Sequence, residues 1–131
     1  MKLKVAMDAS EGFHVLHTYG SWSVAVFNRT SSAESVVKMQ RHLATDECFL
    51  LSTGGGTLIT ADEQQDGNLV FSLMKLEKGK LYTVPKGTWH AHSLQPCTTL
   101  FIVEDSFTSL LNTENRELKP AERMHLKSLS P

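Results

Sequence analysis

Eight short β-prone stretches, each closed by glycine, proline, aspartate or asparagine, limit what this chain can become more than any other feature. They are Trp22 to Phe27, Val36 to Leu43, Cys48 to Ser52, Thr57 to Thr60, Asn68 to Leu76, Leu81 to Val84, His90 to Leu94 and Thr99 to Glu104. Strands this short with turns this frequent predict an all-β jelly-roll barrel. Gly54-Gly55-Gly56 predicts a tight hairpin turn between the third and fourth stretches, because glycine is free to take positive φ. No Lys-Ser or Lys-Thr follows it, so it does not read as a phosphate-binding loop. Asp62 to Asn68, with Asp66-Gly67-Asn68, predicts a second hairpin turn. Beyond Glu104, Asp105 to Asn115 is polar around Leu110-Leu111, and Pro120 to Lys127 predicts a short helix with proline at its first position, packed outside the barrel. The stretch up to Tyr19, with Phe13, Val15 and Leu16, predicts either an added strand or a dimer contact.

At 131 residues the chain fits one domain over positions 1–131, large enough to bury a core without disulfides. Thirteen Lys plus Arg stand against 14 Asp plus Glu with no basic run, which argues against a nucleic-acid partner. Apolar runs end at lengths such as Leu69-Val70-Phe71 and Leu100-Phe101-Ile102-Val103, far short of a membrane span. Met1-Lys2-Leu3-Lys4 leads into Asp8 and Glu11 rather than an apolar segment, so no signal peptide is read and a cytoplasmic location is expected. The two cysteines, Cys48 and Cys97, lack any CxxC spacing and are expected to be reduced, structural thiols.

Two spaced patterns carry the chemistry: His42-x4-Glu47-x6-Gly54, then Gly79-x5-Pro85-x-Gly87-x2-His90. They place two imidazoles and one carboxylate on neighbouring strands, and three such donors can hold a divalent metal while leaving positions open for water, substrate or dioxygen. Iron suits that donor set, and manganese, nickel or zinc does so too. The stretch Gln40-Arg41-His42-Leu43-Ala44-Thr45-Asp46-Glu47-Cys48-Phe49-Leu50-Leu51 resembles the first motif of the cupin family, and Gly79 through His92 resembles the second. The resemblance implies a double-stranded β-helix, the cupin-type jelly roll, with a barrel core over about 20–105 and a short helical C-terminal tail. It also implies a homodimer. Cupin motifs usually supply His-x-His before the glutamate, and here Gln40 stands first; Leu94 stands where the family often has asparagine.

Alternation extends the candidate site. If His42 and His90 face inward, so do Gln40 and His92, and Cys48 and Trp89 face away. His42, Glu47 and His90 are therefore the expected metal ligands, with Gln40 or His92 competing as fourth partner or as a group that moves a proton. Tyr82 is a candidate general acid. Glu104 ends an apolar strand, at the rim or pointing inward. Trp22 is expected to fill core volume or line a pocket, and His14, His17 and His125 read as surface residues. The expected function is binding or transforming a small polar molecule at a divalent metal inside the barrel. The resemblance admits dioxygenase, isomerase, epimerase, decarboxylase and lyase chemistry. Two alternatives stay open: a ligand-binding or sensor cupin without turnover, and a metal-free sugar-modifying cupin with a histidine base.

Overall fold

The computed structural model describes residues 2–33, 35–107 and 111–130. Leu110 of the Leu110-Leu111 pair, and the end residues 1 and 131 of the expected domain, lie outside them. Among the described residues ten strands and one helix follow in order: β1 Gly12–Tyr19, β2 Trp22–Arg29, β3 Lys38–His42, β4 Glu47–Thr53, β5 Gly56–Glu63, β6 Leu69–Lys75, β7 Leu81–Val84, β8 Trp89–Leu94, β9 Thr98–Asp105, β10 Thr113–Glu117 and α1 Pro120–Ser128. They form two five-stranded antiparallel sheets, one ordered β1-β2-β9-β4-β7 and the other β10-β3-β8-β5-β6. This is the expected jelly roll, with all eight anticipated stretches present as β2 to β9.

The period of two divides each strand between two environments. Ala25, Phe49, Leu51, Leu58, Val84, Leu94, Leu100 and Ile102 meet between the sheets as the main core. Burying each of the larger side chains contributes roughly 1.5–3 kcal/mol. On the opposite face of β3, β5 and β8, Met39, Ile59, Ala61 and Trp89 form a second cluster with Leu69, Leu118 and Leu126. The helix α1 covers it. Pro120 opens that helix, and Glu122 fixes its start by accepting from the Lys119 backbone N–H at 2.9 Å and pairing with Arg116 at 2.9 Å.

The structure corrects one turn. Gly54 and Gly55 do not close a hairpin, because β4 and β5 belong to different sheets and the chain crosses the sandwich between them. Gly54 still has a reason to be glycine: its φ is +83°, and a Cβ there would lie 2.6 Å from Thr98 Cα. The β5–β6 connection is the expected hairpin, with Gln64 donating to the Asn68 carbonyl at 2.8 Å.

Two strands enlarge the sheets beyond the eight. β1 pairs with β2 across a bulge between Val15 and His17, which makes the N-terminal stretch a strand. Within the polar stretch after Glu104, β10 pairs with β3, matching Asn115 to Gln40 and Thr113 to His42. Among the described residues no helix is long and apolar enough to cross a membrane.

Candidate metal centre and cavity

His42 and His90 reach the interior from one sheet, and Glu47 and Glu104 reach it from the other. The link from His42 to Glu47 changes sheets; it is held where the Gly87 N–H donates to the His42 carbonyl at 2.7 Å and the Lys86 N–H donates to Asp46 Oδ1 at 2.9 Å. The two sequence patterns therefore lock together at the turns that precede Glu47 and His90. Glu47 Oε2 lies 3.2 Å from His42 Nε2, and Glu47 Oε1 lies 3.1 Å from His90 Nε2. One donor atom from each of the three lies within 4.8 Å of the others, and Glu47 and His90 are buried.

The outer nitrogens of both rings are held. His90 Nδ1 lies 3.0 Å from the Thr88 carbonyl oxygen, and His42 Nδ1 lies 3.0 Å from Thr113 Oγ1. A carbonyl only accepts, so Nδ1 of His90 carries a hydrogen, and in the neutral ring Nε2 presents a lone pair. That lone pair faces a carboxylate oxygen. Two acceptors at 3.1 Å need something positive between them, a proton on Nε2 or a metal cation. Donors sharing one ion through bonds of about 2.1 Å stand about 3 Å apart when adjacent, and imidazoles oriented by a second hydrogen bond are the usual metal-ligand arrangement. The donor set fits a divalent cation.

Glu104 is the inward carboxylate that the sequence left undecided. Burial, the hydrogen bond to Glu47 and the Glu47 charge together raise its pKa. Burial pushes Glu47 upward too, but where protons rather than a metal occupy the facing ring nitrogens, hydrogen bonds from His42, His90 and Glu104 outweigh it and hold Glu47 below the ordinary carboxylate range. The pair therefore titrates as a unit, its two carboxyls sharing one negative charge.

These groups line a cavity of about 690 Å³, within the range of small-molecule sites. One wall carries Lys38, Gln40, His42, His90, His92, Thr113 and Asn115, and the other carries Phe13, Phe27, Glu47, Phe49, Ile102 and Glu104. Gln40 sits opposite His90 in the sheet and donates from Nε2 to Asn115 Oδ1 at 2.9 Å. The His92 ring meets Phe27 edge-on, centroids 4.7 Å apart, and His92 is outside the three-residue group. Tyr82 is not brought to this cavity. Its hydroxyl accepts from the Glu77 N–H at 2.9 Å, and the side chain lines a separate cavity of about 330 Å³.

Residues expected to point away do so. Trp89 lies in the outer cluster with the Arg41 guanidinium 4.4 Å from its ring centroid, and Cys48 pairs with Thr83 on the outer face. Trp22 is 44% exposed on that same outer face, near His17, rather than in the core or the cavity. His14 bonds locally to Ser10 and Glu11, and His125 sits exposed on α1 near Phe71. Thr113, Asn115 and Phe13 were missed as cavity residues. The alternation of Phe13 and Val15 was the one available signal for β1, while Thr113-Glu-Asn-Arg-Glu117 offers no apolar alternation to find β10.

Fold and site together define a cupin-type barrel. No family model and no curated protein matches the sequence. Among solved structures, the chain is similar to a cupin superfamily protein from Desulfitobacterium hafniense, at 19% identity over 76% of this chain and 83% of that one, TM-score 0.54. It is similar also to a cupin 2 conserved barrel domain protein from Rhodopseudomonas palustris, at 13% identity over 96% of this chain and 81% of that one, TM-score 0.56. A third is a variant of Streptomyces PAC13 with uridine, at 12% identity over 90% of this chain and 93% of that one, TM-score 0.55. At these identities the likeness establishes the fold.

Proposed function

We propose that this is a metal-binding cupin in which His42, Glu47 and His90 hold one divalent cation, and in which the adjoining cavity binds and transforms a small polar molecule. The observation that carries the reading is His90 Nε2 set 3.1 Å from Glu47 Oε1 while Nδ1 lies 3.0 Å from the Thr88 carbonyl, which in the neutral ring turns an acceptor toward an acceptor. Iron, manganese, nickel or zinc bound there supplies Lewis acidity toward a carbonyl, enolate or carboxylate oxygen, and iron adds dioxygen chemistry.

The contacts support a part for the protein's own residues. Thr88 and Thr113 orient the two rings, Glu104 hydrogen-bonds Glu47, and Phe27, Phe49 and Ile102 exclude water from one side. Gln40 and His92 line the same cavity and are the candidates for a fourth contact or a proton transfer. Similarity to a barrel solved with uridine supports a small-molecule occupant.

A proton in place of the cation gives the second reading, a metal-free barrel with a histidine base, and metal content separates the two. Freshly purified protein is expected to carry stoichiometric metal, lost in His42→Ala and His90→Ala. Protein without such metal, whose ligand binding survives His42→Ala, refutes the metal reading. A bound compound released unchanged assigns the sensor role instead of turnover.

A homodimer and a cytoplasmic location complete the proposal. The outer face of the β1-β2-β9-β4-β7 sheet exposes Tyr19, Trp22, Leu81 and Val103, whereas α1 covers the corresponding face of the other sheet. Free Cys48 and Cys97 suit a reducing compartment.

A further inference from the structure

The cavity wall beside His90 carries an amide pair that metal chemistry does not require. Gln40 Nε2 donates to Asn115 Oδ1 at 2.9 Å, which leaves Gln40 Oε1 as an unspent acceptor and Asn115 Nδ2 as an unspent donor, both on side chains that line the cavity. Turning both amides end for end leaves the same inventory, one carbonyl oxygen and one amide nitrogen. Across the cavity stand Phe13 and Phe27, register partners on β1 and β2, which offer flat apolar surface.

We infer that Gln40 and Asn115 form a docking edge for a small planar ring bearing a lactam or imide, an N–H beside a C=O. The ring N–H donates to Gln40 Oε1, the ring carbonyl accepts from Asn115 Nδ2, and the ring lies against Phe13 and Phe27. A charged carboxylate satisfies only the donor half of this edge, and an ammonium only the acceptor half. Selectivity follows because a site built to pair with an N–H leaves its acceptor unpaired when that hydrogen is replaced. The inference rests on the reading of this cavity as the ligand site and names the class of ligand.

The probes are 2-pyridone and N-methyl-2-pyridone, titrated into the full-length protein and followed by ¹H–¹⁵N chemical-shift changes, with metal content measured on the same samples. Saturable binding of 2-pyridone at cavity residues is expected, weakened at least tenfold by N-methylation. Asn115→Ala, a change at an exposed edge-strand position, should weaken both probes while leaving the discrimination between them in place, whereas Gln40→Leu should abolish the discrimination. Equal binding of the two probes, or no binding of 2-pyridone, overturns the inference. If stoichiometric metal is present and discrimination is missing, the docking edge alone fails. If metal is missing and discrimination persists, the metal reading alone fails.

Discussion

Replacing Glu47 with glutamine should uncouple metal concentration from thermal stability. The carboxylate is the one anionic member of the three-residue group and lies 3.1–3.2 Å from both imidazoles. A free ion at 100 times its dissociation constant stabilises the folded state by about 2.7 kcal/mol. With an unfolding entropy of about 2.1 cal/mol/K per residue, a chain of 131 residues gives roughly 0.28 kcal/mol/K, so the melting temperature should rise by about 10 °C. Glutamine keeps the shape and removes the charge. Outer partners of metal ligands are worth up to about 100-fold in affinity, and a ligand's own charge is worth at least that. The same ion concentration then only matches the variant's dissociation constant, leaving roughly 0.4 kcal/mol and a shift of about 1.5 °C. Differential scanning fluorimetry with Fe(II), Mn(II), Ni(II) and Zn(II) reads both proteins. His14, His17 and His125 remain in each, so surface binding appears equally in both. An equal shift in wild type and variant, or none in wild type with any of the four ions, refutes the reasoning.

Stability without metal should fall progressively as pH rises from 4.5 to about 9. Glu104 is pushed up to about 9 from an ordinary value of 4.5, so its contribution is complete below the unfolded pKa and disappears as pH rises through about 9. Glu104→Gln should flatten that loss in melting curves from pH 6 to 10; an unchanged slope contradicts the paired-carboxyl arrangement. Gly54→Ala combines positive φ with a Cβ 2.6 Å from Thr98 Cα and should cost at least about 2 kcal/mol in urea unfolding, whereas Gly20→Ala, where a Cβ meets nothing within 4 Å, should cost less. Trp22→Glu puts a charge into the exposed face of the outer sheet and should convert a dimer to monomer in sedimentation velocity. A wild-type protein that sediments as a monomer at high concentration refutes the proposed pairing.

Period-two alternation made the faces legible wherever polar and apolar residues took turns. With His42 and His90 taken as inward, it aimed Gln40 and His92 inward beside them and Trp89 outward, and it put Cys48 on the face opposite Glu47. Where a strand is apolar throughout, alternation has no phase: Leu100-Phe101-Ile102-Val103 left Glu104 undecided, and only pairing of Ile102 with Phe49 across β9 and β4 fixes it inward. Where a strand is polar throughout, alternation is silent, and β10 was hidden for that reason although it supplies Thr113 and Asn115. Alternation also says nothing about which sheet a strand joins. The glycines after β4 looked like a hairpin because hairpin turns and sheet-to-sheet crossings demand the same backbone freedom. Deciding between them takes the long-range partners, here Leu94 and Thr98, whose backbones press against Gly56 and Gly54.

The division of donors, imidazoles on one sheet and carboxyls on the other, ties occupancy to the mechanics of the sandwich. Whatever His42, His90 and Glu47 grip together acts as a rivet through both layers, so release and the breathing apart of the sheets become a single event. Hydrogen exchange in β3, β4 and β8 should slow in concert when the rivet is in place, while β6, at the far edge, keeps its own rhythm.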